Sequence, residues 1–261
     1  MLGAIIGDIC GSYYEDSPVE DYNFELLRDI SNYTDDSILT IATVYSILNN
    51  ESYTKIYKLL AKIDIHRGFG NNFINWVESD NNKPYYSYGN GSAMRVSPVG
   101  YIYNTVEETL IEAKKSAEVT HNHPEGIKGA EAIALCVFLA RIGKTKEEIK
   151  KEILNRYKYD LNRTIKEIKP SYQFDVSCQG SVPEAIISFL ESNDYESSVR
   201  NAIYLGGDSD TLACMSGSIA EAYYKEIPKP YFIKVLSIMP PNYAEIINQF
   251  YLKYGLETKF I

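Results

Sequence analysis

The sequence predicts an all-α protein folded as one compact domain over residues 1–261. Apolar residues recur at i, i+3, i+4 and i+7 in segment after segment, and sustained strand-type alternation is nearly absent. Helix start and stop residues punctuate these runs at the expected places.

The first helix carries Gly3, Gly7 and Gly11 every four residues, a face without side chains that lets another helix approach closely and marks this one as central. A second amphipathic helix follows Asp36, with Ile38, Ile41, Ala42, Tyr45 and Leu48 on its apolar face. Thr105 with Glu108 and Thr145 with Glu148 form capping-box patterns, and so do Ser181 with Glu184, where Pro183 is expected in the first turn. Pro124 marks a helix start after His123. Gly206 and Gly255 close the runs 197–205 and 243–254. Another amphipathic helix follows Asp210, with Leu212, Met215, Ile219, Ala220 and Tyr223 in register. Residues 16–31 and 79–98 are richest in breakers and are expected as long loops, where binding groups tend to lie.

Composition removes several function classes. Thirty-five acids against 26 Lys plus Arg give a net charge of −9, which repels a nucleic-acid backbone. The densest basic stretch, residues 144–169, holds nine Lys or Arg among five acids and reads as a solvated helix face. The longest apolar run, residues 132–140, is nine residues, well short of the roughly 20 that span a bilayer. Residues 1–10 have no basic residue ahead of the apolar stretch and carry Asp8 within it, so a secretory signal is not expected and a cytoplasmic location is. The four cysteines lack a CxxC pair and read as reduced structural thiols.

Two acidic clusters stand out: Thr34, Asp35 and Asp36, and more than 170 residues later Asp208, Asp210 and Thr211 in the string GGDSDT. Each opens a helix. One carboxylate suffices for a cap, whereas these offer four with two hydroxyls, and gathered like charges call for a cation. Oxygen donors without His or Cys point to Mg²⁺, Mn²⁺ or Ca²⁺. If the two helix starts face one another, six oxygens suit a two-metal hydrolytic site.

These residues resemble the ADP-ribosylglycohydrolases. The resemblance rests on GAIIGDICGSYYE (3–15), YTDDS (33–37), SYGNGSAMRVSPVG (87–100), THNHPEGIKGA (120–130) and LGGDSDTLACMSGSIAEAYY (205–224), five motifs in the family's order. It implies an orthogonal all-α fold with two Mg²⁺ ions, or Mn²⁺ in their place, between Thr34, Asp35, Asp36 and Asp208, Asp210, Thr211. It implies hydrolysis of the C1″ bond of ADP-ribose attached to a protein side chain or a related conjugate. Glu15 matches a glutamate that, in the branch acting on serine-linked ADP-ribose, lies on a mobile loop by the metals. Asp36 and Glu15 are the candidates for general base.

The loop Ser87, Tyr88, Gly89, Asn90 and Gly91 is expected to adopt positive φ at Asn-Gly and to expose successive N–H groups to a diphosphate. The resemblance places this loop against the phosphates and distal ribose, and His121 in the ligand pocket. His123 is expected to fix the turn before Pro124, His66 to border the site, and Arg95 to serve as a structural partner of a carboxylate or carbonyl. Ser37, where the family usually has Thr, and Ser92 and Ser209 depart from the family pattern without removing a carboxylate. The Tyr-Tyr-Glu context of Glu15 leans to the serine-linked or O-acetyl-ADP-ribose branch, whereas THNHP looks like bacterial members acting on arginine. A non-catalytic ADP-ribose-binding or immunity protein is the alternative on the same fold, while the lack of any His-Asp dipeptide counts against a helical phosphodiesterase. ADP-ribose or an ADP-ribosylated protein is thus the expected partner, without dedicated nucleic-acid or membrane contact.

Overall fold

A glycine-lined helix crossing and two cap-rich turns set where everything else sits. The computed structural model describes residues 1–261. In chain order the helices are α1 (Leu2–Gly11), α2 (Asp35–Asn49), α3 (Tyr53–Ile63), α4 (Asn71–Glu78), α5 (Gly91–Met94), α6 (Val99–Ile102), α7 (Val106–Glu118) and α8 (Pro124–Arg141). Then come α9 (Lys146–Tyr157), α10 (Ile165–Ile168), α11 (Cys178–Leu190), α12 (Tyr195–Leu205), α13 (Ser209–Tyr224), α14 (Lys229–Ile238) and α15 (Pro241–Tyr254). The extended pairing is small: β1 (Glu226–Ile227) runs parallel to β2 (Lys259–Phe260), and Gly89 bridges Ser177. The chain is all-α, as its hydrophobic period implied, and no helix is long and apolar enough to cross a membrane.

The α1/α13 crossing is the axis of the molecule. Every residue of α1 is buried, and α13 is buried from Ser209 through Ala222. A Cβ on Gly3 would overlap the carbonyl of Gly217, one on Gly7 the carbonyl of Ala213, and one on Gly11 would lie 2.5 Å from the Asp210 Cα. Backbone therefore packs on backbone, and Gly11 delivers the start of α13 against the end of α1. The apolar run of α8 forms a second buried rod, with residues 132–140 almost wholly inside. One cluster of 72 buried apolar residues joins these helices to α2, α7, α11 and α12, and the four cysteines are free and buried within it.

Local chemistry accounts for the helix ends. Thr145 and Glu148 complete a capping box on α9, whose Ile149, Ile153 and Tyr157 are buried. Lys151 and Arg156 are exposed, but Lys146 departs from the expected solvated face, its half-buried ammonium lying over the Phe189 ring and donating to the Leu190 carbonyl at 3.1 Å. Thr105 caps α7 by accepting from the Glu108 N–H. Ser181 does not cap: α11 starts earlier, with Ser177 accepting from the Gly180 N–H, which leaves Ser181 and Pro183 inside the helix. The chain before α11 is bridged to Gly89, and that pairing fixes the start four residues upstream of the sequence expectation. Gly206 and Gly207 take φ of +84° and +70°, two left-handed residues in succession that turn the end of α12 into α13.

Candidate active site

Three helix termini meet at one wall of a cavity of about 750 Å³. Thr34 caps α2, its hydroxyl accepting from the Asp36 N–H at 3.3 Å, so Asp35 and Asp36 occupy the first turn. The Gly206–Gly207 turn sets Asp208 before α13 and places Asp210 in that helix's first turn. The Asp208 carboxylate makes no capping hydrogen bond and instead accepts from Asn90 Nδ2 at 2.6 Å. The two acidic helix starts face one another, with Thr211 Oγ1 donating to Asp36 Oδ2 at 3.2 Å.

The acids fall into two groups whose oxygens lie within 4.8 Å of one another: Asp8, Asp36 and Asp210, and Glu15, Asp208 and Asp210. Asp210 belongs to both. Asp35 joins neither trio, although it lines the cavity. Asp8 is the residue that sequence reasoning overlooked. It lies fully buried on α1 and accepts from the Thr34 N–H at 3.0 Å, the Thr34 hydroxyl at 2.7 Å, the Ser37 N–H at 3.1 Å and the Ser37 hydroxyl. The available signal was a lone acid in a helix otherwise built of apolar residues and glycine, where burial demands a partner.

Electrostatically this corner is overloaded. Burial, then the charges of Asp8 and Asp35, pushes the Asp36 carboxyl well above its ordinary value. Burial, then Asp36 and Asp208, does the same to Asp210. Burial raises Asp35 and Asp208, and it pushes Asp8 up to about 6 against the hydrogen bonds from Ser37 and Thr34. Partial desolvation, then Asp208, raises Glu15, which sits on the loop after α1 with its side chain exposed. Asp36 Oδ1 is buried without any hydrogen-bond partner. An all-oxygen donor set, an orphaned carboxylate oxygen and mutually repelling acids together fit hard divalent cations.

The rest of the cavity comes from loops. Ser87, Gly89, Asn90, Gly91 and His121 line it, as does His66, whereas Tyr88 lies outside the lining and packs its ring edge against His123. The expected positive φ at Asn-Gly does not occur: Gly89, Asn90 and Gly91 all lie outside the left-handed region. Their N–H groups are not a free row either, because Gly89 donates to Ser87 Oγ at 3.1 Å and Asn90 to the Val176 carbonyl at 2.8 Å. Pairing with residues 176–178 straightens the loop, a long-range constraint that the dipeptide alone does not reveal. Glycine is needed here for room, since a Cβ on Gly91 would lie 3.2 Å from His121 Nε2. His123 caps α8, its Nδ1 accepting from the Glu125 N–H at 3.1 Å.

A family model described as ADP-ribosylglycohydrolase matches residues 1–253. The chain belongs to the ADP-ribosylglycohydrolase family. It is 28% identical to ADP-ribosylhydrolase ARH3 of Gallus gallus, over 88% of this chain and 85% of that protein, and 28% identical to the Homo sapiens ARH3, over 86% and 84%. The ADP-ribosylarginine hydrolase Tri1 of Pseudomonas putida is 24% identical over 60% of this chain and 41% of its own length. A solved structure titled "ADP-ribosylglycohydrolase-related protein complex" superposes with a TM-score of 0.67 at 21% identity, covering 98% of this chain and 94% of that one, a likeness of fold. In this chain the acidic corner forms one wall of the 750 Å³ cavity, and the glycine-rich loop and His121 form another.

Proposed function

We propose that the protein is a Mg²⁺-dependent hydrolase that removes ADP-ribose from a modified side chain by cleaving the C1″ glycosidic bond. The carrying observation is the meeting of two acidic helix starts, Thr34–Asp35–Asp36 and Asp208–Asp210–Thr211, around a carboxylate oxygen of Asp36 that has no partner. Those six residues, all lining the cavity, would hold the cations, while Asp8 braces the Thr34 and Ser37 ends of that wall through its hydrogen bonds. When bound, the ions supply positive charge that neutralises the carboxylates, orients ribose hydroxyls and favours deprotonation of water.

The chain's own residues do the remainder. Asn90 holds Asp208 in place from the glycine-rich loop, so ligand binding and the acidic wall share one hydrogen bond. Rupture of the C1″ bond develops oxocarbenium-like charge on the ribose, which the surrounding carboxylates stabilise. Water adds at C1″ and passes one proton to a carboxylate, and the departing oxygen or nitrogen of the acceptor side chain takes up one proton in turn, so that free ADP-ribose and an unmodified side chain result. Asp36 and Glu15 are our candidates for that transfer, a reading supported by the unpartnered buried oxygen of Asp36 and by the exposed position of Glu15 beside Asp208 and Asp210.

Release of free ADP-ribose from matched serine-linked and arginine-linked peptides, with Mg²⁺ or with EDTA, tests this reading. Magnesium-dependent release from one peptide is the expected result and identifies the acceptor. No release from either, with ADP-ribose still bound, contradicts hydrolysis and leaves a binding protein.

A further inference from the structure

Arg95 follows α5 and is 0% exposed, its guanidinium lying 4.3 Å over the Tyr57 ring. Its Nη2 donates to the Ser116 carbonyl at 3.1 Å and to Thr120 Oγ1 at 2.8 Å, while Nε and Nη1 have no partner. A buried charge with two unmet nitrogens is a costly way to fill a core, where an apolar side chain of like volume serves stability as well or better.

Thr120 Oγ1 is also buried and lies 2.7 Å from His121 Nδ1, its one other side-chain contact. Proton counting decides this pair. Arginine only donates, so Thr120 Oγ1 accepts from Arg95, and the hydroxyl's single proton has no acceptor except Nδ1. Were Nδ1 to carry the ring proton, the threonine proton would be buried unmet, with the penalty that attends an unsatisfied donor. With Nδ1 bare, both contacts are satisfied and the ring proton lies on Nε2.

Nε2 makes no hydrogen bond within the protein and borders the cavity beside Gly89 and Gly91, where added Cβ atoms would lie 3.5 and 3.2 Å away. Burial, and then the Arg95 charge, holds the imidazole's pKa well below its ordinary value, so the ring is neutral.

We propose that Arg95 and Thr120 are positioning residues that lock His121 as the neutral Nε2–H tautomer, a fixed donor to an acceptor oxygen of the bound ADP-ribosyl ligand. The ligand's identity rests on the function proposed above; the tautomer does not. His121 thereby discriminates in favour of acceptor groups at this position and neither carries charge nor takes up protons during turnover.

The experiment is nitrogen-15 NMR of the histidine rings, of which there are three, with His121 assigned by its loss in His121→Gln, alongside ADP-ribose titration in Mg²⁺. The wild-type chain should show a protonated Nε2 and a bare Nδ1 at His121. Thr120→Val, which removes the hydroxyl at nearly constant volume, should abolish that pattern and weaken ADP-ribose binding about tenfold, whereas Thr120→Ser should restore both. A protonated Nδ1 in the wild type overturns the proposal, and so does a Thr120→Val chain with unchanged ring signals. A shifted tautomer with unchanged affinity overturns the ligand contact. If Thr120→Val fails to fold, the wild-type and Thr120→Ser spectra still decide the tautomer. The Nε2–H form in a chain that releases no ADP-ribose leaves this inference standing and contradicts the proposed hydrolysis instead.

Discussion

The two ends of the α1/α13 crossing each bury acid, and they treat it in opposite ways. At one end Glu221 faces Gly3 and Gly217 with every need met. It pairs with the Met1 ammonium and accepts from the Gly3 N–H at 2.7 Å, the Thr258 hydroxyl at 2.9 Å and the Tyr251 hydroxyl. Burial alone would raise this carboxyl, but the Met1 charge and the hydrogen bonds outweigh it and hold Glu221 below its ordinary value. At the other end, where Gly11 meets Asp210, Asp8, Asp36 and Asp210 crowd without a cationic side chain, their carboxyls are raised, and Asp36 Oδ1 has no partner. A satisfied buried acid is part of the fold; an unsatisfied group of them beside a cavity is a site awaiting a ligand.

The contrast can be broken from either end. Glu221→Gln weakens the charge-assisted hydrogen bonds donated by the Gly3 N–H, the Thr258 hydroxyl and the Tyr251 hydroxyl and should cost roughly 1.5–3 kcal/mol of stability, read by denaturant unfolding, with the metal requirement of the folded protein unchanged. Asp210→Asn should do the reverse. It should cut turnover roughly 100-fold or more, given that outer-shell changes at metal sites already cost about 10–100-fold, while the metal-free protein melts no lower than wild type because one repelling charge has gone. Asn90→Ala, which frees Asp208 without removing it, should reduce turnover about tenfold, the loss of one charge-assisted hydrogen bond, and thermal melting checks that the fold is intact. An Asp210→Asn chain that loses several kcal/mol of stability would erase the distinction between the two ends.

Much of this was legible in the chain, and the failures have a common cause. The glycine stripe announced that some helix packs closely on α1, though not that it is α13, because spacing by four is a local property of a helix, and the two acidic strings announced themselves because each opens its own helix. That they meet depends on Gly11 against Asp210 and on the two left-handed glycines before Asp208, a juxtaposition across the whole chain. Asp8 was read only as a break in an apolar stretch, since its partners Thr34 and Ser37 come from another helix. The loop 87–91 was misread for the same reason: its dipeptide favours a turn, but pairing with residues 176–178 overrides that preference. Ser181 carried a cap pattern that the true cap, Ser177, made redundant.

Calorimetric titration of Mg²⁺ into metal-stripped protein tests the central claim most directly, with wild type, Glu221→Gln and Asp36→Asn side by side. The wild type and Glu221→Gln should bind with matching affinity and stoichiometry, and Asp36→Asn should lose at least one ion. Equal binding by Asp36→Asn, or no binding by the wild type, would contradict the assignment of the acidic corner as a cation site.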